Sequence, residues 1–181
     1  MYRNDILEKL GRHRGFDIYE EAMVEKTIEF IEANPDCFER TLTIGHVTAS
    51  AWVVDLKTQK ALLTHHSKLD SWFQLGGHCD GNSDVLAAAK REVTEESGLE
   101  EIMVYSPFVF DVDVHLIPEN KREAAHWHYD IRFLFEEDSS KPLVVSSESK
   151  DLRWISFDDI KDYNGSSSII RMVKKMEFVA D

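Results

Sequence analysis

Cysteine is scarce in this chain. Its 181 residues hold two, Cys37 and Cys79. They lie far apart and outside any C-x-x-C spacing, so neither a disulfide framework nor a cysteine-based zinc site is expected. Basic charge is also short. Lys and Arg number 21 against 34 Asp and Glu, a net charge of −13. Such a surface repels a polyanion, which argues against a nucleic-acid polymer as partner. A small anionic substrate stays open, because a divalent cation can bridge two negative groups. No apolar run reaches about 18 residues, so no membrane span is expected. The start, "MYRNDILEKLGRHRG", is polar and has no apolar signal-peptide core. A soluble cytoplasmic protein is the expectation. Repeats and low-complexity linkers are missing as well.

Apolar residues make up 43% of the chain, enough for a core at this length. Residues 17 to 33 read as an amphipathic helix with Ile18, Ala22, Ile28 and Ile31 near the helical period. Asp17 and Glu20 have capping-box spacing, and a shorter helix precedes around Ile6 to Leu10. Residues 46–55 and 60–66 read as a hairpin, followed by a short strand running into Gly76 and Gly77. Residues 108–116 and 126–135 alternate as strands. Phe108, Phe110, Val112, Val114 and Leu116 share one face of the first, and Asp111, Asp113 and His115 the other. Trp127, Tyr129, Ile131, Phe133 and Phe135 share one face of the second, with His126, His128, Asp130 and Arg132 opposite. The tail reads as a strand feeding a short helix, then a helix capped by one of Ser166 to Ser168. This order suits an α/β (α+β) sandwich around a mixed sheet. Residues 1–40 form a helical extension or dimer surface, and residues 41–181 the main domain.

From Ser83 to Ser97 the sequence is again helical. Leu86, Ala89 and Val93 point to the core, and Gly98 supplies a left-handed cap. On this helix Glu92, Glu95 and Glu96 sit at i, i+3 and i+4. Like charges at that spacing cost about 0.2–0.5 kcal/mol per pair. Near the helix C-terminus the macrodipole disfavours them further. A solvated acidic face is one explanation. A cradle for a hard divalent cation such as Mg²⁺ is the other.

The stretch Gly77-x5-Ser83-x7-Arg91-Glu92-Val93-Thr94-Glu95-Glu96-Ser97-Gly98-Leu99 resembles the Nudix box, G-x5-E-x7-R-E-U-x-E-E-x-G-U with U aliphatic. Eight of nine defined positions match, and the likeness extends over roughly residues 42 to 162. The exception is Ser83, where the box has a glutamate. Serine binds metal less strongly and cannot pair with Arg91, although Asp84 or Asp80 can supply a nearby carboxylate. The resemblance implies a hydrolase cleaving a nucleoside diphosphate linked to another moiety with Mg²⁺ or Mn²⁺: a nucleotide sugar, ADP-ribose or a nucleoside triphosphate. It implies Glu92, Glu95 and Glu96 as metal ligands, with the Gly76 backbone close by. Glu92 or Glu148 would be the general base, Glu148 alternatively a further ligand. Arg91 would orient the glutamates.

His78, His128 and Asp130 are candidates for touching the substrate. His126, His128 and Asp130, with His115 and Asp113, also suggest an Fe(II) or Zn²⁺ site, but histidines at i, i+2 on a strand are weak evidence, and a polar pocket wall fits better. Trp52, Trp72, Phe73 and Trp127 are stacking candidates, more often core residues. Two other classes stay open. One is a catalytically quiet Nudix-like sensor that binds a nucleotide, with Ser83 marking decay. The other is a histidine-based metalloenzyme.

Overall fold

A computed structural model describes residues 2–120, 123–147 and 149–179. Its order is α1 (Tyr2–Arg12), α2 (Ile18–Ala33), β1 (Gly45–Asp55), β2 (Lys60–His66), β3 (Ser71–Phe73), β4 (Leu75–His78), α3 (Val85–Ser97), β5 (Met103–Val104), β6 (Asp111–Ile117), β7 (His126–Glu136), β8 (Ser149–Ser156), α4 (Ile160–Tyr163) and α5 (Ser167–Met176). Among the described residues eight strands form one mixed sheet. β1 lies at its centre. It runs parallel to β7 from Gly45↔Trp127 to Val54↔Glu136, and antiparallel to β4 on its other edge. β6 and β7 form the expected hairpin.

Helices cover both faces of the sheet, as the α+β reading expects. Val47, Ala49, Ala51 and Val53 of β1 pack with Ile6 and Leu10 of α1, Val24, Phe30 and Ile31 of α2, and Ala88, Ala89 and Val93 of α3. The alternate residues Trp52 and Val54 pack with Leu134, Ile160, Ile169, Met172 and Met176 under α4 and α5. On that second face β1 continues as His46, Thr48 and Ser50, and β7 as His126, His128, Asp130 and Arg132. Both parallel strands change from polar to apolar at the same level, Ser50↔Arg132 against Trp52↔Leu134. The polar end of this face is the wall of a cavity. Among the described residues no helix is long and apolar enough to cross a membrane.

Two of the expected faces are corrected. In α2 the buried residues are Glu20, Val24, Thr27, Phe30 and Ile31, whereas Ile18 and Ala22 are exposed. β6 begins at Asp111, which is fully buried, while Leu116 within it and Phe108 ahead of it are exposed. One buried ion network accounts for both. Arg171 grips Asp111 through two nitrogens at 2.8 Å, and Arg132 reaches it at 3.2 Å. Lys175 bridges Asp111 and Glu20, each at 2.6 Å. Glu20 also accepts from the Val112 and Phe16 amides and lies 2.9 Å from the His13 ring. Asp17 caps α2 as expected, but Glu20 does not answer it in a capping box, because its carboxylate is engaged in this network. α5 has Ser166 at its cap position without a side-chain hydrogen bond.

Burial alone would raise the Glu20 carboxyl. The His13 and Lys175 contacts outweigh that and hold it at about 2, below its ordinary 4.5. A depressed carboxyl stabilises the fold above pH 4.5, and that contribution is lost as pH falls toward 2. Replacing Glu20 with Gln leaves buried cations short of a partner, at a cost of about 3 kcal/mol at pH 7. Urea unfolding midpoints at pH 7 and pH 3 check this: the variant should lose more at pH 7 than at pH 3.

Candidate active site

α3 is fixed at both ends by local chemistry. The Asp84 side chain accepts from the Ala87 amide at 3.1 Å. Gly98 takes the left-handed conformation at φ 73° and closes the last turn onto the Thr94 carbonyl. Asp84 thus caps the helix, one residue after Ser83. Buried Val85, Ala88, Ala89 and Val93 fix the rotation of the helix, which turns its acidic edge toward β4.

The three glutamates have different environments. Glu96 is buried and accepts from the Gly76 amide at 2.9 Å. Glu92 accepts from Arg91 at 2.6 Å and packs against Gly77, where an added Cβ would collide with its carboxylate. Glu95 is exposed, 3.8 Å from Arg91. Burial raises the Glu92 carboxyl; Arg91 opposes this and the Glu95 charge adds to it. Arg91 also donates to the His78 carbonyl at 2.6 Å, tying α3 to the end of β4. Asp80 lies 3.9 Å from Arg91 and pairs with Arg40 at 2.6 Å, so a second carboxylate stands near Arg91 despite Ser83. Gly76 sits at φ 156°, and a side chain there would strike the β1 backbone at Ala49 and Ser50.

A cavity of about 800 Å³ opens above these groups. Glu92, Glu95, Glu96, Gly76, His78, His128 and Asp130 all line it, so the structure brings these sequence candidates together. Arg91 stays behind the wall, among the glutamates. Glu148 lies outside the described residues. Asp130 is buried and accepts from Thr48, Ser50, Gln74 and Arg132 at 2.8–3.2 Å. Of the four stacking candidates only Phe73 lines the cavity. Trp52 is core, Trp72 packs on His65, and Trp127 is partly exposed away from it.

Sequence reasoning missed Arg40, Thr48, Ser50, Lys68 and Gln74 on the cavity, and His46 beside it. His46 faces His128 across the parallel β1–β7 register. Its ring lies 4.8 Å from that of His128 and 4.9 Å from that of His78. Burial, reinforced by the neighbouring rings, lowers His46 to about 4 and His128 to about 2, and shifts His78 downward as well. These rings are neutral at pH 7.

The class of fold is a mixed sheet between helices, with a glutamate-rich helix set over a glycine pair. The NUDIX domain model matches residues 45–176, and the chain belongs to the NUDIX family. That membership makes it a hydrolase of phosphoric anhydride bonds. No curated protein matches the chain in sequence. Solved structures share the fold. An Ap4A hydrolase from C. elegans is 19% identical, with 74% of this chain and 97% of that one covered, at TM-score 0.60. The dihydroneopterin triphosphate pyrophosphohydrolase of E. coli is 13% identical, covering 71% and 92%, at 0.55. The NUDIX domain of Shewanella oneidensis NrtR, complexed with ADP ribose, is 14% identical, covering 75% and 88%, at 0.53.

Gly77→Ala should push the Glu92 carboxylate aside without unfolding the chain, since the atom it meets is the end of a flexible side chain. Turnover should fall by about 10–100-fold, the scale of a 1–3 kcal/mol loss at the transition state. Steady-state kinetics beside a thermal melt checks both halves.

Proposed function

We propose that the protein is a divalent-metal-dependent pyrophosphohydrolase acting on a small nucleotide, a nucleoside diphosphate joined to a second group. The observation carrying this is one cavity with three glutamates on one wall and the cations Arg40 and Lys68 elsewhere on its lining. Its volume suits a nucleotide-sized ligand. The nucleotide-related names of the Ap4A hydrolase and of the ADP-ribose-bound NrtR domain support the substrate class. Nucleotide sugars, ADP-ribose and nucleoside triphosphates are the compounds to try.

The donor set fits Mg²⁺ or Mn²⁺. Hard oxygen ligands are what these ions take, and Glu92, Glu95 and Glu96 present carboxylates to one space with Arg91 as their close cation. These three residues would hold the ion, with Gly76 bringing backbone close to it. Bound there, a divalent cation supplies charge neutralisation for the diphosphate and makes water more acidic. Arg91 holds Glu92 and the β4 end in place. Glu92, with its raised carboxyl beside Gly77, is suited to take a proton from the attacking water. Glu148 is the other candidate for that role. Arg40 and Lys68 would receive phosphate oxygens, and Phe73 offers the cavity an aromatic face.

The ADP-ribose-bound NrtR domain fits a sensor and an enzyme equally. Retention of all three glutamates at one cavity favours the enzyme. The test is hydrolysis of a nucleotide panel with and without Mg²⁺ or Mn²⁺, wild type beside Glu95→Gln. Metal-dependent cleavage of one class, reduced by about 10²-fold or more in the variant, is expected. Nucleotide binding without cleavage of any compound would replace the enzyme with the sensor.

A further inference from the structure

A second group of ligands lies next to the glutamates and differs from them in chemistry. His46 on β1, His78 at the end of β4 and His128 on β7 each offer a ring nitrogen, and the three lie within 4.8 Å of one another. The sheet brings them together from three strands. His46 is registered on His128, and His78 is registered on Thr48, two residues from His46 on the same face. Their ring centroids are 4.8–5.4 Å apart.

Hydrogen bonding accounts for one contact of His128 at a time. His128 Nε2 lies 3.1 Å from His46 Nε2 and 3.3 Å from His126 Nε2. His126 Nδ1 is 2.8 Å from the Ala124 carbonyl, which only accepts, so that nitrogen carries the proton. In the neutral ring His126 Nε2 is then a lone pair. One imidazole nitrogen either donates a single proton or offers a single lone pair. His128 Nε2 therefore cannot satisfy both neighbours. Tetrahedral zinc with bonds of about 2.0–2.1 Å spaces its nitrogen ligands about 3.3 Å apart. The 3.1 Å between His46 and His128 is close to this, and the three nitrogens together lie within 4.8 Å.

We propose that His46, His78 and His128 form a binding site for Zn²⁺ or a similar borderline transition metal, separate from the three-glutamate site. Imidazole ligands select such ions, whereas Mg²⁺ prefers carboxylate and water. Neutral imidazole is the form that binds metal. Three neutral ligands leave the ion's double charge uncompensated. His78 and His128 line the cavity, so that charge faces the space a nucleotide would enter. A phosphate or another anionic group on the substrate is the chemistry such an ion would take in its remaining position. The site does not depend on the reading of Glu92, Glu95 and Glu96.

The test uses the full chain, stripped of metal with a chelator and returned to Zn²⁺ in excess Mg²⁺. Titration calorimetry should show one Zn²⁺ per chain. Co²⁺ in its place should give the visible absorption of a tetrahedral, imidazole-bound ion. His46→Gln and His128→Gln should each weaken Zn²⁺ binding by at least tenfold and abolish the Co²⁺ band. His78→Gln, at a strand end, serves as the variant least able to disturb folding, with circular dichroism as the check on all three. Glu95→Gln should leave Zn²⁺ affinity unchanged. Absence of stoichiometric Zn²⁺ under Mg²⁺ would overturn the proposal. So would equal Zn²⁺ affinity in the folded histidine variants, or loss of Zn²⁺ in Glu95→Gln alone.

Discussion

The parallel pairing of β1 with β7 is the constraint on which the site depends. Ten residue pairs fix it, from Gly45↔Trp127 to Val54↔Glu136. Side chains alternate with a period of two, so a slip of one residue would turn each polar residue of the cavity wall into the opposite core. The register is set by what each face must do. The odd residues Val47, Ala49, Ala51 and Val53 of β1 are apolar and buried against α1, α2 and α3. Even residues begin as His46, Thr48 and Ser50 and end as Trp52 and Val54. β7 makes the same change at the same level. Thr48 and Ser50 donate to Asp130 across the pair, which locks the polar half as packing locks the apolar half. β4 then pairs with the other edge of β1 and sets Gly76 and Gly77 beside that wall, where α3 closes onto them.

A second frame holds this sheet between its terminal helices. Arg132 leaves β7 between Asp130, which faces the cavity, and Asp111, which is buried. Asp111 collects Arg171 and Lys175 from α5, and Lys175 continues to Glu20 of α2. α2 and the last helix, α5, are thereby joined through ions that begin at the site's own wall. Buried ion pairs add little net stability against an apolar alternative, but breaking one is costly. The network therefore acts on geometry: it fixes which side of α2 and of β6 faces inward.

The chemistry of α3 was legible because its information is local. Spacing along one helix decides that Glu92, Glu95 and Glu96 share an edge, and a fixed motif follows from it. Strand positions were legible for the same reason, through alternation within each segment. What the sequence concealed is non-local. Glu20 and Asp111 break the apolar pattern because they answer distant cations, Lys175 at 155 positions from Glu20 and Arg171 at 60 from Asp111, so periodicity alone rotates α2 and misjudges β6. His46 gave no signal of its own: its neighbours His78 and His128 lie 32 and 82 positions on, and only the parallel register unites them. Asp130 was visible as a polar residue on the right face. Of its four donors only Arg132, on the same face of β7, was visible; the others come from β1 and the residue before β4.

Carboxylates on α3 and imidazoles on the sheet line one cavity. The central claim is that the crowded glutamates are held together for a hard divalent cation. Mn²⁺ binding followed by electron paramagnetic resonance tests it most directly, because free and bound Mn²⁺ differ in signal and no substrate is needed. Wild type is compared with Glu92→Gln, Glu96→Gln and His46→Gln. The account predicts Mn²⁺ binding that either glutamine change at α3 weakens by at least tenfold and that His46→Gln leaves intact. Mn²⁺ affinity unchanged in both glutamate variants would contradict it and return the three carboxylates to an acidic edge without a ligand.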